Sequence, residues 1–586
     1  MNSTRLRLSF WSTRHPLAIL GYALPVLLGM VVGCQGTSTP TEAVRDSMRD
    51  NPPPDESVHI QFQHRNLSLS APFRYENDEI ADRSTILDGM GGGAAVLDFD
   101  RDGLLDVLFA GGGQFGPGNT LSGKPPGLFR QMGAWQFQLI TEPACVDAPR
   151  RYTHAAVIGD YDNDGFEDIL MTGYGGMQLY QNQGDGTFLD RTNGSELGDR
   201  LWSTSGAWGD VDGDGHLDLY VTHYVDWSFE NDPRCPTVDG RRRERCPPQR
   251  FGPLPDSLYL SCGDGTFRDV STAWGLRRDG KGLGVVMADL DLDGDLDIYV
   301  ANDTVGNFLY RNSSGSHFDE IAVAAGCAFN EAGAPDGSMG VTVMDYNLDG
   351  LPDLWVVNYE RETIGLYQNL GNLTFEHVSQ KTGVSVVGTM YVGFGTVFLD
   401  ADLDGDEDAF VANGHVLRFP NNAPVRQRPL IFDNLAGKRF REVSAQSGDY
   451  GRNSHVGRGV AHGDLDGDGD LDLAVSHLQE PACLLENLSA RQGAWLAVKL
   501  VGTSSNRDAV GTRLTLVTTR SQQSRQVSSG DSYLSHSDRR VHFGIPEAEE
   551  TVQLTIDWPD GRRQTVSRPP SNQVLTLRQP LNDSAQ

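Results

Sequence analysis

Cysteine is scarce in this chain, seven in 586 residues. No two of them are spaced Cys-x-x-Cys, which argues against a zinc ribbon or a thioredoxin-type redox centre. Positive charge is short as well: 48 Lys and Arg stand against 79 Asp and Glu, a net charge of −31. A nucleic-acid binder needs a basic face, so nucleic acid is not an expected partner. No helical periodicity or heptad runs through the chain, which excludes a coiled coil. Gly-x-Ser-x-Gly, His-Glu-x-x-His and phosphate-binding glycine loops are absent. The expectation is therefore a chain that is not an enzyme.

Acid and glycine are abundant, and both are patterned. Asp-x-Asp-x-Asp-Gly-x-x-Asp occurs seven times, with Asn for the second Asp in one copy. The candidate metal ligands occupy positions 1, 3, 5 and 9. They are Asp98, Asp100, Asp102 and Asp106, then Asp160, Asp162, Asp164 and Asp168. Asp210, Asp212, Asp214 and Asp218 follow, then Asp289, Asp291, Asp293 and Asp297. The fifth set is Asp345, Asn347, Asp349 and Asp353. The last two are Asp400, Asp402, Asp404 and Asp408, and Asp464, Asp466, Asp468 and Asp472. Carboxylates at alternate positions converge only if the backbone curls round a centre, which the glycine permits. Converged carboxylates repel each other by about 1–4 kcal/mol per pair near a surface. A hard cation removes that cost, and Ca²⁺ suits an all-oxygen set, up to seven ions in all. A single such loop reads equally as a solvated acidic turn; seven in one spacing do not. The fifth loop, with Asn347 and Pro352, is expected to be the weakest site. The EF-hand pattern does not apply, because the last acid is Asp at position 9 and the sequence that follows reads as strand.

Short apolar runs flank each loop, such as Gly284-Val-Val-Met287 before the fourth and Ile298-Tyr-Val300 after it. Each loop thus joins two strands of a hairpin. Leu179-Tyr-Gln-Asn182, Leu309-Tyr-Arg-Asn312 and Leu366-Tyr-Gln-Asn369 mark a third strand. Gly184-Asp-Gly-Thr-Phe188 and its copy at 263–267 mark a turn into a fourth. Seven units of four strands predict an all-β fold, a seven-bladed β-propeller over 59–487. The alternating stretch Val58 to His64 is expected to supply the outer strand of the last blade and close the ring. These residues resemble the FG-GAP/VCBS repeat family, whose integrin α-like propellers carry calcium-binding hairpin loops.

Residues 494–576 lose the acidic loops and alternate as strands, which predicts a small β-sandwich. Asn506-Arg-Asp-Ala-Val-Gly511, Leu534-Ser-His536, His542-Phe-Gly544 and Trp558-Pro-Asp-Gly561 resemble the ASPIC/UnbV domain. Gly511-Thr512 departs from the Gly-Ala usual there. Taken with the repeats, the chain resembles the cartilage acidic protein and ASPIC/UnbV group. Residues 577–586 read as a polar tail.

Ahead of the repeats, Arg5, Arg7 and Arg14 precede an apolar run ending Val31-Val-Gly-Cys34. That is an export signal. It resembles a bacterial lipobox, with Cys34 lipidated; the other reading is an uncleaved anchor helix. Residues 1–34 are then a lipoprotein signal peptide and 35–58 a flexible tether. The chain is expected in the cell envelope, at the outer membrane or cell surface, held to a membrane by lipid. In an exported protein Cys235 and Cys246 are a candidate disulfide.

The fifth residue after each loop's last Asp lies at the far end of the second strand. Five of those positions hold His223, Asn302, Asn358, Asn413 and His477, with His415 beside the fourth. They are candidates for a ligand face round the channel mouth, or they cap strand ends. The function expected is binding or adhesion towards a protein or glycan. The alternatives are a polysaccharide lyase or hydrolase, and a purely structural envelope protein.

Overall fold

The computed structural model describes residues 58–581, apart from 68–71, 80–82, 134, 150, 314 and 388. The expected leader with Cys34, the tether up to residue 57 and residues 582–586 of the expected tail lie outside the described residues; the tail's first residues, Leu577 and Arg578, belong instead to the strand Val574–Arg578, paired with Leu500 and Val501. Seven antiparallel sheets of four strands follow one another along the chain. Blade 1 runs Ala94–Leu97, Asp106–Phe109, Gly127–Gln131 and Phe137–Leu139 from inside to outside. Blades 2 to 6 begin on the inner strands Tyr152–Gly159, Ser203–Gly209, Gly282–Ala288, Val341–Met344 and Gly393–Leu399. Blade 7 uses Gly457–Gly463, Asp472–His477 and Cys483–Asn487, and takes its outer strand, Phe62–Arg65, from the start of the chain. Phe62 pairs with Asn487 and Arg65 with Leu484, which is the closure expected of that segment. Each inner strand touches the next, and blade 7 touches blade 1. This is a closed seven-bladed β-propeller.

Aromatic rings fill the spaces between blades. Trp355 of blade 5, fully buried, meets Phe398 and Phe432 of blade 6 edge-on at 5.1 and 5.6 Å. Two hairpins interrupt the repeat: Gly113–Gly116 with Thr120–Gly123, and Cys235–Pro236 with Arg243–Glu244. A disulfide between Cys235 and Cys246 closes the second.

After the last blade come two further sheets. Gly493–Val501 lies between Val541–Pro546 and Val574–Arg578. Gln522–Gln526, Arg513–Thr518, Thr551–Asp557 and Arg563–Ser567 form the other. Burial alternates residue by residue along Arg513–Thr518, as a strand with one face on a core requires. Leu496, Phe543, Leu514 and Leu554 form that core.

This sandwich sits on the face that carries the acidic loops. Asp160 N donates to the carboxylate of Asp508 at 3.0 Å, and Arg507 N donates to Asn163 Oδ1 at 3.0 Å. Arg513 donates to Gly350 O, Gln492 to Asp402, Gln526 to Asp289 O, and the His542 ring meets Gly469 O at 2.8 Å. Lys499 faces Asp98 at 3.8 Å. Two of the four motifs that resemble the ASPIC/UnbV domain thus supply contacts between the two parts on this face.

From the sandwich, residues 529–539 pass into the axis of the ring and bond all seven inner strands. Val96 N donates to His536 O at 2.9 Å in blade 1, and Arg539 donates to Ile158 O in blade 2. Trp208 N donates to Ser529 Oγ in blade 3, and Met287 N to Ser529 O in blade 4. Ser532 exchanges backbone bonds with Val341 in blade 5, and its hydroxyl accepts from Thr396 N in blade 6. Asp538 N donates to His462 O in blade 7. Gly93 lies so close to this plug that a methyl group there would overlap the carbonyl oxygen of Leu534. Open inner-strand edges would leave polar groups unpaired in the channel, and the plug pairs them.

Candidate functional site

The acidic loops come first, because their geometry repeats. The glycine at position 6 is left-handed in all seven, with φ between 87° at Gly350 and 100° at Gly294 and Gly405. Position 4 is left-handed too, and it is Arg101, Asn163, Leu292, Leu348 or Leu403 in five loops. Such residues bear about 1–2 kcal/mol of strain each. The curl this produces gathers oxygens. Carboxylate oxygens of Asp98, Asp100 and Asp106 lie within 4.8 Å of one another, as do those of Asp160, Asp162 and Asp168. The same holds for Asp210, Asp212 and Asp218, for Asp289, Asp291 and Asp293, and for Asp400, Asp402 and Asp404.

Buried oxygens on Asp160, Asp291 and Asp353 have no hydrogen-bond donor. Burial, with the neighbouring carboxylates, pushes Asp106 and Asp160 up to about 8 and Asp353 up to about 9. An all-oxygen donor set with orphaned, mutually repelling carboxylates fits a hard cation. In the fifth loop Asn347 donates its amide to Asp349 at 2.8 Å, so one ligand position there carries no charge. In the seventh, Asp464 takes a bond from Gly467 N, and Asp466 one from Trp135 Nε1.

The Asp at position 9 has a further task. Its Oδ1 accepts the backbone N–H of the last residue of the third strand: Gln131, Asn182, Ser261, Asn312, Asn369, Asn434 and Asn487 in turn. Six of those side chains then reach back to the preceding blade. Asn369 donates to Leu290 O at 2.8 Å, Asn487 to Ala401 O at 2.9 Å, and Gln131 to Leu465 O at 2.7 Å across the ring closure. Asn182, Asn312 and Asn434 do the same to Phe99, Val211 and Tyr346. Ser261 is too short to do so. The recurring Asn is visible in the sequence; its partner, 79 to 101 residues back in the chain in blades 2 to 7 where it exists, is not.

On the opposite face the ligand-face candidates are buried and internally bonded. His223 pairs with Asp199, and the amides of Asn302, Asn358 and Asn413 donate to Gly306, Thr363 and Arg428 carbonyls. His477 bonds Tyr450 and Pro481, and His415 accepts from Leu417 N. All six hold strand ends; Asn358 and Asn413 also line one small cavity, and His477 and His415 each line another. Side chains alternate faces along a strand, so the next position points into the channel. There stand Tyr224, Asp303 and Tyr359, and all three line a cavity of about 350 Å³.

Tyr533, at the tip of the plug, and Phe394 contribute the apolar floor of this cavity, and the disulfide-closed hairpin with Val416 and Phe419 forms its rim. Tyr224 donates its hydroxyl to Asp303. Burial pushes Asp303 up to about 6 and Glu362 up to about 7. Their carboxylates both approach Gly337, Asp303 Oδ1 within 3.1 Å of where a Cβ would sit and Glu362 Oε2 within 3.6 Å. Beneath the floor the fully buried Arg458 donates to the carbonyls of Gly89, Met90, Gly414 and Gly457, with its guanidinium 4.0 Å above Phe394. No pattern in the sequence marks Arg458 or Tyr533.

Residues 98–171, 160–221, 252–300, 289–356 and 345–411 match the FG-GAP-like repeat, and residues 502–583 match ASPIC and UnbV. The chain is an FG-GAP repeat protein with an ASPIC and UnbV domain. Cartilage acidic protein 1 of Xenopus tropicalis is 25% identical over 524 residues, covering 84% of this chain and 74% of that protein. The Homo sapiens protein of the same name is 25% identical over 535 residues, covering 84% of this chain and 72% of its own. Among solved structures, an Agrocybe aegerita lectin that recognises terminal N-acetylglucosamine superposes with a TM-score of 0.38 at 16% identity, over 72% of this chain and 100% of that one. The BP39L lectin of Burkholderia pseudomallei superposes with a TM-score of 0.36 at 10% identity, over 68% of this chain and 99% of that one. Nothing about this chain's ligand follows from those two.

Proposed function

We propose that this FG-GAP repeat protein is an exported, lipid-anchored, calcium-binding module that captures a protein or glycan partner in the cavity lined by Tyr224, Asp303 and Tyr359. The observation that carries the reading is the division of labour between the two faces. The acidic loops, gathered for Ca²⁺, lie under the C-terminal sandwich, and the plug fills the axis. A cavity on the other face stays open, with aromatic walls and a few convergent polar groups, as small-ligand and side-chain seats have. Calcium in this account is structural: it neutralises the loops and fixes the blades, and it takes no part in any reaction. The anchor rests on the sequence Val31-Val-Gly-Cys34 and its basic, apolar leader.

One observation favours a second reading. Two carboxylates held above their ordinary range and converging in a cavity can act as acid and base, which is the equipment of a glycoside hydrolase. The deciding experiment incubates the protein in millimolar Ca²⁺ with a panel of polysaccharides and identifies retained and released sugars by mass spectrometry. Intact chains retained by the wild type and lost by Tyr359→Ala support a glycan binder. Shortened chains overturn it in favour of the hydrolase. No retention at all directs the search to protein partners through the same variant.

A further inference from the structure

A cluster of imidazoles stands outside both the acidic loops and the cavity. It lies at the seam where the first strand of the chain joins blade 7. His64 belongs to that strand and pairs with Leu485. His455 precedes the inner strand of the blade, His477 ends its second strand, and Glu480 lies in the turn that follows. The four side chains line one cavity of about 160 Å³.

Their chemistry suits nitrogen-seeking cations. Both ring nitrogens of His455 are buried, and Nε2 has no hydrogen-bond partner, a costly state for a polar group. Glu480 Oε2 lies 3.4 Å from His455 Nδ1. The rings of His455 and His477 are 5.3 Å apart, and His455 stacks on Tyr450 at 4.1 Å. His477 Nδ1 lies 2.7 Å from Pro481 O, the bond by which a metal-ligating histidine fixes its tautomer and presents Nε2. That Nε2 now accepts from the Tyr450 hydroxyl at 2.8 Å. Three imidazoles and one carboxylate facing a single cavity are a donor set that such cations take.

We propose that His64, His455, His477 and Glu480 form a site for one borderline divalent transition cation of the Zn²⁺ class. The donor set separates it from the seven all-oxygen loops: imidazole nitrogen suits zinc and its neighbours, whereas calcium takes oxygen. The cation replaces the Tyr450 hydroxyl on His477 Nε2 and supplies the partner that His455 lacks. Because His64 lies on the first strand and the other three on blade 7, the ion clasps the seam that closes the propeller. The site is independent of what the far-face cavity binds.

The test is a titration of the full chain with Co²⁺, a spectroscopic stand-in for Zn²⁺, in millimolar Ca²⁺ so that the acidic loops are already filled. The expected result is one equivalent taken up with the visible bands of four-coordinate cobalt, displaced by Zn²⁺, and a higher melting temperature with Zn²⁺ than without. His455→Ala and Glu480→Gln are each expected to weaken uptake at least tenfold and to abolish the Zn²⁺ shift in melting. Asp185→Ala, at an exposed turn of blade 2, leaves cobalt uptake unchanged. Glu480→Gln keeps the shape of the side chain, so its effect separates lost ligation from lost folding. Absence of cobalt bands in the wild type, or bands of equal strength in both variants, overturns the proposal.

Discussion

The ring of Tyr533 meets the ring of Phe394 edge-on at 4.9 Å, although Tyr533 belongs to the domain seated on the opposite face of the propeller. Its hydroxyl donates to Met90 O at 3.2 Å. The C-terminal domain therefore reaches through the ring and forms part of the floor of a cavity it otherwise never touches. Tyr533→Ala removes a fully buried aromatic side chain, at a cost of about 3–5 kcal/mol. Chemical denaturation is expected to show that loss, and partner binding to weaken with it. A Tyr533→Phe variant, which keeps the ring and loses one hydrogen bond, should cost only about 1 kcal/mol. Equal effects from the two variants would contradict the packing role assigned to the ring.

Gly93→Ala tests the plug itself. The added methyl has no room against Leu534 O, so residues 529–539 cannot seat. Calorimetry is expected to resolve a separate early transition for the C-terminal sandwich, and limited proteolysis to cut within the freed plug. A single transition at the wild-type temperature would show that the plug contributes nothing to the assembly.

The staples between blades predict a gain as well as a loss. Asn369→Ala removes bonds to Leu290 O and Pro352 O and is expected to cost about 1–3 kcal/mol. Ser261→Asn places the missing amide opposite blade 2 and is expected to raise the melting temperature. Its hydroxyl now accepts from Gly263 N, a bond that Asn at the equivalent positions 182 and 369 also makes with the following glycine.

Acid should loosen the plug. Burial holds His154 down to about 4, and burial with the neighbouring Arg539 holds His536 well below its ordinary value. Both are neutral in the folded protein where an unfolded histidine, near 6.5, takes up a proton. Their contribution is complete above about pH 6.5 and is lost as pH falls from there towards 4. Melting temperature in saturating Ca²⁺ is expected to fall over that window, and His536→Gln to flatten the fall.

Much of this was legible in the residues. A seven-fold acidic spacing with glycine at position 6 names the hairpin loops because few other backbones bring alternate carboxylates together, and the alternation of Val58 to His64 names the closing strand. Strand ends carry no mark of which side faces the axis, so the sequence points to His223 and Asn302 where the structure sets Tyr224 and Asp303 against a cavity. Tyr533 and the plug left no periodic signal: they are held by backbone and serine hydroxyl bonds to seven strands remote in sequence. Ser261 shows the converse, a departure from the repeat whose meaning appears only once the carbonyls of the preceding blade are in view.

Calcium underlies the account of both faces, so the most direct measurement is the thermal unfolding of the wild type in millimolar Ca²⁺ and in excess chelator, beside the double variant Asp466→Ala, Asp468→Ala. Each loop filled at a hundred times its Kd adds about 2.7 kcal/mol, so chelation should lower the melting temperature by roughly 10 °C or more. The double variant should lose part of that shift in Ca²⁺. Identical unfolding with and without chelator would show that the loops need no ion and would contradict the account.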